Sequence, residues 1–261
     1  MRTRTNLTWP DDPYRTGQQL YRRPPPRVAA FTAVRAAAGG GLAPAAVAVV
    51  YLPLHRTRVV TVTEQTLTFG FHAASTGDPA EMPGLAATAD LDLMQARRHA
   101  AILAGHLLAA DLAWLRQAAG KATWRGLAAV EDEWAERGQP VGRAAMFDCQ
   151  LDLPGNPSIA QACRQSGIVS CGGARNRMDW PAEHQAAAQA LERALVIALL
   201  CARHHGRYDW AGMLPAGRII AAATWDFLPW PVTEPSAAPA CEIASADRVD
   251  AARAGTRRSE H

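Results

Sequence analysis

The sequence predicts a mixed α/β fold on three observations. Consecutive β-rich segments open the body, a short apolar strand runs directly into a helix in its middle, and one long apolar helix closes it. The second observation sets the sheet type, because a strand feeding a helix belongs to a parallel or mixed sheet, whose parallel neighbours need a crossover. The 261 residues are enough for one large domain or two small ones at roughly 100–200 residues each.

Residues 1–28 hold few apolar side chains, end in Arg22-Arg23-Pro24-Pro25-Pro26-Arg27 and have no strand or helix period, which predicts a disordered basic arm. The body is expected over 29–232. Ala45 to Leu54 is β-rich, Arg58 to Thr66 alternates and is rich in Val and Thr, and Thr68 to Ala73 continues the pattern, giving three strands joined by tight turns. Asp90 to Arg98 is amphipathic, with Leu91, Leu93 and Met94 on one side. Ala100 to Gly105 is the apolar strand that feeds a helix over Leu107 to Ala119, and Gly126 to Arg137 is a helix with an acidic, solvated face. Ala144 to Leu151 is the next strand, Ser158 to Ser166 a short helix, and Pro181 to Arg203 the long closing helix, with Pro181 suited to its first turn. Residues 233–261 read as a disordered tail.

Composition narrows the class. Of 27 basic side chains only Lys121 is lysine, and the net charge is +3. The sign is uneven, since residues 1–35 carry seven arginines against Asp11 and Asp12, so the leader is either a nucleic-acid contact or a solvated tail. Five cysteines without a CxxC pair argue against a disulfide framework and a zinc site. Charge and proline at the start exclude a signal peptide, which implies the cytoplasm. The longest apolar run, Ala186 to Cys201, is broken by Glu192 and Arg193, each costing roughly 2.5–3.5 kcal/mol at a bilayer centre, and reads as a core helix. No membrane partner is expected. No GxGxxG or P-loop motif follows any strand, and Gly39-Gly40-Gly41 precedes the first expected one.

Three antiparallel strands followed by helix, strand, helix, strand and helix is the order of the ribonuclease H-like fold. Within it, Ile102-Leu103-Ala104-Gly105-His106-Leu107-Leu108-Ala109-Ala110-Asp111 resembles the second motif of the DEDD (DnaQ-like) 3′–5′ exonucleases, an apolar strand, a Gly-His-Asn turn and a helix-borne Asp. Ala145 to Leu151, with Asp148, is similar to the strand bearing that family's Asp-Thr pair, and Ser158 to Ile168 to the small helix after it. His184 to Ala190 is similar to the third motif, His-x4-Asp-Ala. The likeness covers roughly residues 45–205.

The resemblance implies a 3′–5′ exonuclease-like protein whose partner is nucleic acid, most naturally a single-stranded end, or a protein bound to it. Active members hold two Mg²⁺ or Mn²⁺ ions on four carboxylates, with a His taking the proton of the attacking water. The first motif, Asp-x-Glu, falls here on Tyr51 and Pro53, or in a second register on Val62-Thr63-Glu64, which keeps Glu64 but costs a strand. The third motif keeps His184 but has Gln189 for its Asp. Asp111 and His184 are then catalytic remnants, Asp111 and Glu64 the metal ligands that survive, and Arg22, Arg23 and Arg27 phosphate contacts from the arm. Metal-dependent hydrolysis is expected to be impaired or absent.

Plainer readings accompany these. Asp111 could serve only the helix dipole, His106 a turn, and His184 a helix surface. His204-His205 with Asp209 copies the His-x4-Asp spacing but closes a helix before Gly206, where a cap is expected. Trp210, Trp225 and Trp230 suit core and lid better than base stacking. Cys149 or Cys171 could serve a Cys-dependent hydrolase, with no base fixed beside either. The alternative from another class is a non-catalytic α/β protein-interaction module that binds no nucleic acid.

Overall fold

The computed structural model describes residues 1–7, 27–35, 45–55, 57–120, 124–136, 144–170 and 182–223. Its centre is a six-stranded mixed sheet. The strands are β1 (Arg2–Thr5), β2 (Arg27–Arg35), β3 (Ala45–Pro53), β5 (Gly70–Thr76), β6 (Ile102–Gly105) and β7 (Ala145–Asp148), with a separate short strand β4 at Val60–Thr61. They lie in the order β1-β5-β3-β2-β6-β7. β3 pairs antiparallel with β2 and β5, while β6 runs parallel to β2 and β7 parallel to β6. β2, β5, β6 and β7 therefore share one direction, and their carboxyl ends meet at one end of the sheet.

Two layers of helix cover the sheet. On one face pack α1 (Met82–His99), α2 (Leu108–Ala119) and α3 (Arg125–Ala135). Phe31, Val47 and Val49 point to that side, against Leu85, Leu93, Leu108, Leu112 and Leu127. The alternate residues Val28, Ala30, Val34, Ala48 and Val50 point to the other, against Leu191, Leu195 and Leu199 of α6 (Ala182–His204). The period of two along β2 and β3 thus divides one apolar run between two cores. α6 is apolar and long enough to cross a membrane, but its side chains are buried against the sheet.

Short elements complete the order: α4 (Cys149–Asp152), α5 (Ile159–Ser166), β8 (Ile168–Val169), β9 (Tyr208–Asp209), β10 (Leu214–Pro215) and α7 (Ala216–Ala223). β4 pairs with β9 and β8 with β10, both parallel. Ser158 starts α5 through a reciprocal capping box with Gln161, and Gly167 ends it at φ 67°.

Several expectations change. The folded unit spans Met1–Pro229, and its first residues are edge strand β1, not arm. β2 begins at Arg27 and is the central strand that the sequence reading left out. The strand expected over Arg58–Thr66 shrinks to β4, because Thr63 to Thr66 close a turn: the Thr66 hydroxyl accepts the Thr63 N–H at 2.9 Å. The three antiparallel strands are therefore β2, β3 and β5. Gly39-Gly40-Gly41 falls between β2 and β3 and, like Arg15, Arg22, Arg23, Pro181, Trp225, Trp230 and the 233–261 tail, lies outside the described residues.

Candidate functional site

Asp111 sits in the first turn of α2 and reaches the carboxyl-terminal half of β2. Its Oδ2 accepts the Ala33 N–H at 3.0 Å and the Thr32 hydroxyl at 3.3 Å. Burial pushes its carboxyl above the usual range, opposed by the Ala33 N–H, by the charge of Arg193, by Thr32 and by the charge of Arg35. The position has a topological reason. Chain connections leave β2 toward β3 on one side and its next parallel neighbour β6 lies on the other, which makes the carboxyl ends of β2 and β6 a topological switch point, the place where ligands of open α/β sheets bind.

The turn between β6 and α2 is held from below. Asp148, only 1% exposed, caps α4 by accepting the Gln150 N–H at 2.9 Å and also accepts the Leu107 N–H at 3.2 Å. Leu107 is thereby fixed at φ 58°, where the resembling motif has Asn, a residue that tolerates this left-handed region. His106, 8% exposed, keeps a buried Nδ1 with no partner among the described residues. Burial and the charge of Arg193 hold its pKa down, against Asp148.

Arg193 reaches this place from the other helix layer. Its guanidinium donates to the His106 carbonyl at 3.4 Å, and its buried Nε has no acceptor among the described residues. Arg35, at the exposed end of β2, lies over the ring of Trp114, 5.3 Å from its centroid. Trp114 is one turn beyond Asp111 on α2, so carboxylate, two guanidinium groups and an indole share one end of the sheet.

His184 is elsewhere on that end. Its Nε2 lies 2.6 Å from Arg2 on β1, and since arginine only donates, Nε2 accepts and Nδ1 carries the proton. That proton has no partner among the described residues. The one lone pair a general base would use is thus engaged by a cation, and burial with Arg2 lowers the pKa, against the charge of Glu183. Nine residues of α6 separate His184 from Arg193, about 13 Å of helix. Asp111 bonds Thr32 and Ala33 while His184 bonds Arg2, and no hydrogen bond or ion pair among the described residues joins the two remnants.

The other expected residues divide in the same way. Glu64 pairs with Arg218 of α7 at 3.0 Å, beside the β4–β9 sheet whose Tyr208 bonds the Pro53 carbonyl. That is the opposite end of the sheet from Asp111, so the register through Glu64 is corrected. The register through Tyr51 and Pro53 fails likewise, since these residues face Ala29 and Arg27, at the start of β2. Arg27 is there too, away from Asp111. The residues of β2 that do meet Asp111 are Thr32 and Ala33. Gln189 is exposed one turn before Arg193.

The donor set does not fit a two-metal centre. Among the described residues no three His, Cys, Asp or Glu side chains gather. Asp148 is committed to Leu107 and Gln150, and Glu192 accepts the Ser170 hydroxyl at 2.9 Å. Asp111 is left beside two guanidinium charges, which repel a divalent cation.

The rival motifs resolve into structure. His204 and His205 pack on Phe147, with centroids 5.1 and 5.7 Å away, and Asp209 pairs with Arg203 at 3.6 Å. Trp210 is buried and donates to the Ser166 carbonyl at 2.9 Å. Cys149 is fully buried and its thiol is pushed up by burial, which keeps it from being a nucleophile. Cys163 is pushed up to about 11; Cys171 lies outside the described residues.

No family profile, curated protein or solved structure matches the chain. The class that fold and site define is an α/β protein with a mixed six-stranded sheet and a group of charged side chains at the carboxyl ends of its parallel strands.

Sequence reading missed Arg193, Arg35, Thr32 and Trp114. A signal existed for two of them: Arg193 interrupts the most apolar helix of the chain, and Thr32 is the one hydroxyl in the run from Val28 to Val34.

Proposed function

We propose that this chain is a nucleic-acid-binding protein on a ribonuclease H-like body, and that it holds the end of a single strand without metal-dependent hydrolysis. One observation carries the reading: Asp111 is seated on β2 with the charges of Arg193 and Arg35 upon it, at the carboxyl ends of β2, β6 and β7. Two guanidinium groups with an indole beside them suit phosphate and a stacked base. The order β5-β3-β2-β6-β7, in which only β3 runs opposite, supports the ribonuclease H-like body. The likeness of the segment Ile102 to Asp111 to an exonuclease motif supports the choice of ligand.

Fluorescence anisotropy of labelled ten-nucleotide strands tests it across a salt series. Three or four phosphate contacts give a slope of about −2 to −3 in log K against log salt, at roughly −0.7 per contact. Product analysis in Mg²⁺ or Mn²⁺ is expected to show the strand intact. Failure to retain single- or double-stranded DNA or RNA at low salt overturns the reading and hands the site to a protein partner. Cleavage that disappears in Asp111→Asn overturns the second half.

A further inference from the structure

We infer that Arg193 is an anion receptor, a fixed cation that takes a phosphate group at the place where the resembling enzymes hold metal. The inference rests on the nucleic-acid reading and deepens it by naming the group that binds and the chemistry it binds.

The argument begins with an unsatisfied cation. A guanidinium carries five N–H donors in a planar fork. Arg193 is partly buried in α6, yet among the described residues it forms one hydrogen bond, at 3.4 Å, to the His106 carbonyl, and no ion pair. Its Nε is buried without an acceptor among those residues. Burying charge so poorly paired is costly, and a sequence free of function would be expected to place an aliphatic side chain there, as at the neighbouring positions Leu191, Ala194 and Leu195.

Asp111 does not serve as the missing partner. Its Oδ2 is occupied by Ala33 and Thr32, and although it feels the charge of Arg193, no contact within salt-bridge distance joins them. His106, more than nine-tenths buried, has a Nδ1 without a partner among the described residues at the same turn. Among the described residues the Arg193 guanidinium thus has more donors than acceptors beside the β6–α2 turn, and an oxyanion with several lone pairs on a tetrahedral centre supplies them. Phosphate matches the fork bidentately. Arg35, over Trp114, is placed to take the next phosphate or to support a stacked base.

A receptor made of arginine differs from a metal site in what it needs. Binding is insensitive to chelator, and the nearby carboxylate weakens it where in a metal site it is essential. The test is anisotropy of a labelled eight-nucleotide single strand with the full chain, in EDTA and in Mg²⁺, for wild type, Arg193→Met, Arg193→Lys and Asp111→Asn. Wild type is expected to bind equally in both buffers. Arg193→Met is expected to lose tenfold or more, with its salt slope flatter by about 0.7, Arg193→Lys to recover part of the loss, and Asp111→Asn to bind two- to threefold tighter. Equal affinity and slope for wild type and Arg193→Met, or binding that requires Mg²⁺, overturns the inference. Thermal unfolding of each variant in inorganic phosphate gives a second readout: an Arg193-dependent rise in Tm keeps the receptor even if the strand does not bind, which separates its failure from failure of the nucleic-acid reading. No rise and no strand binding removes both.

Discussion

Leu107 holds a left-handed backbone at the β6–α2 turn, with its N–H tied to Asp148 and its carbonyl accepting the Ala110 N–H at 2.9 Å. An L-residue in that region costs roughly 1–2 kcal/mol, and Leu107 recovers little by burial, being 47% exposed. Leu107→Asn is expected to raise the unfolding free energy by about 0.5–1 kcal/mol in urea titration; no gain would mean that the leucine packs on something that offsets the strain. A second residue-scale feature lies between β5 and α1, where His72 Nδ1 meets Asp92 at 2.7 Å. Burial lowers the His72 pKa, but the hydrogen bond and charge of Asp92 together raise it further, so the net direction is upward. Burial also raises Asp92, against the hydrogen bond and charge of His72, with Tyr51 buried nearby. A histidine whose folded pKa exceeds its unfolded value stabilises fully below about 6.5 and loses that contribution as pH rises through the folded pKa. The stability difference between wild type and His72→Gln should therefore shrink from pH 6 to pH 9. Comparing the two chains cancels the opposite slope of His99, His106, His184 and His205, whose pKa values are lowered. A difference that stays constant would contradict the assignment.

β2 has the largest consequence at the scale of elements, because it is the strand between β3 and β6 and the one Asp111 touches. Phe31 at its centre is fully buried. Phe31→Ala is expected to cost about 3–5 kcal/mol, measured by equilibrium unfolding, whereas a loss under 1 kcal/mol would place β2 outside the core. The same strand explains how far the fold was legible. A central strand buried on both faces shows no alternation, and its three alanines between Arg27 and Arg35 carry weak strand propensity, so nothing marked a strand between the polar arm and Ala45. Edge strand β1 has four residues, all exposed, and offers no apolar signal. Arg58 to Thr66 misled in the opposite direction, since Val and Thr have strand propensity wherever they fall, and a turn hydrogen bond between two threonines decided the matter. Elements with a second, independent signal were legible: α5 through its Ser158 and Gln161 cap, and β6 through the Gly-His break that follows it. Within the site, Asp111 was legible because its motif is local. Arg193 was not, because its meaning depends on a crossing of α6 with the β6–α2 turn that no spacing along the chain reveals.

At the scale of the whole molecule the net charge of +3 is modest, so affinity for a polyanion must come from placement more than from total charge. Arg193 and Arg35 meet at the carboxyl end of the sheet around Asp111, while Arg2 lies three strands away from β2, roughly 14 Å at 4.7–4.9 Å per strand. A strand entering beside Asp111 and leaving along that end would pass both. The most direct measurement is photochemical cross-linking of a short single strand carrying 5-iodouridine near its end, followed by trypsin and mass spectrometry. The expected adduct is on the peptide His99–Arg116, which carries His106, Leu107, Asp111 and Trp114, and it should form in EDTA as readily as in Mg²⁺. Adducts confined to peptides of the opposite end, such as the one containing Tyr208 and Trp210, or no adduct at all under conditions where the strand is retained, would contradict the account.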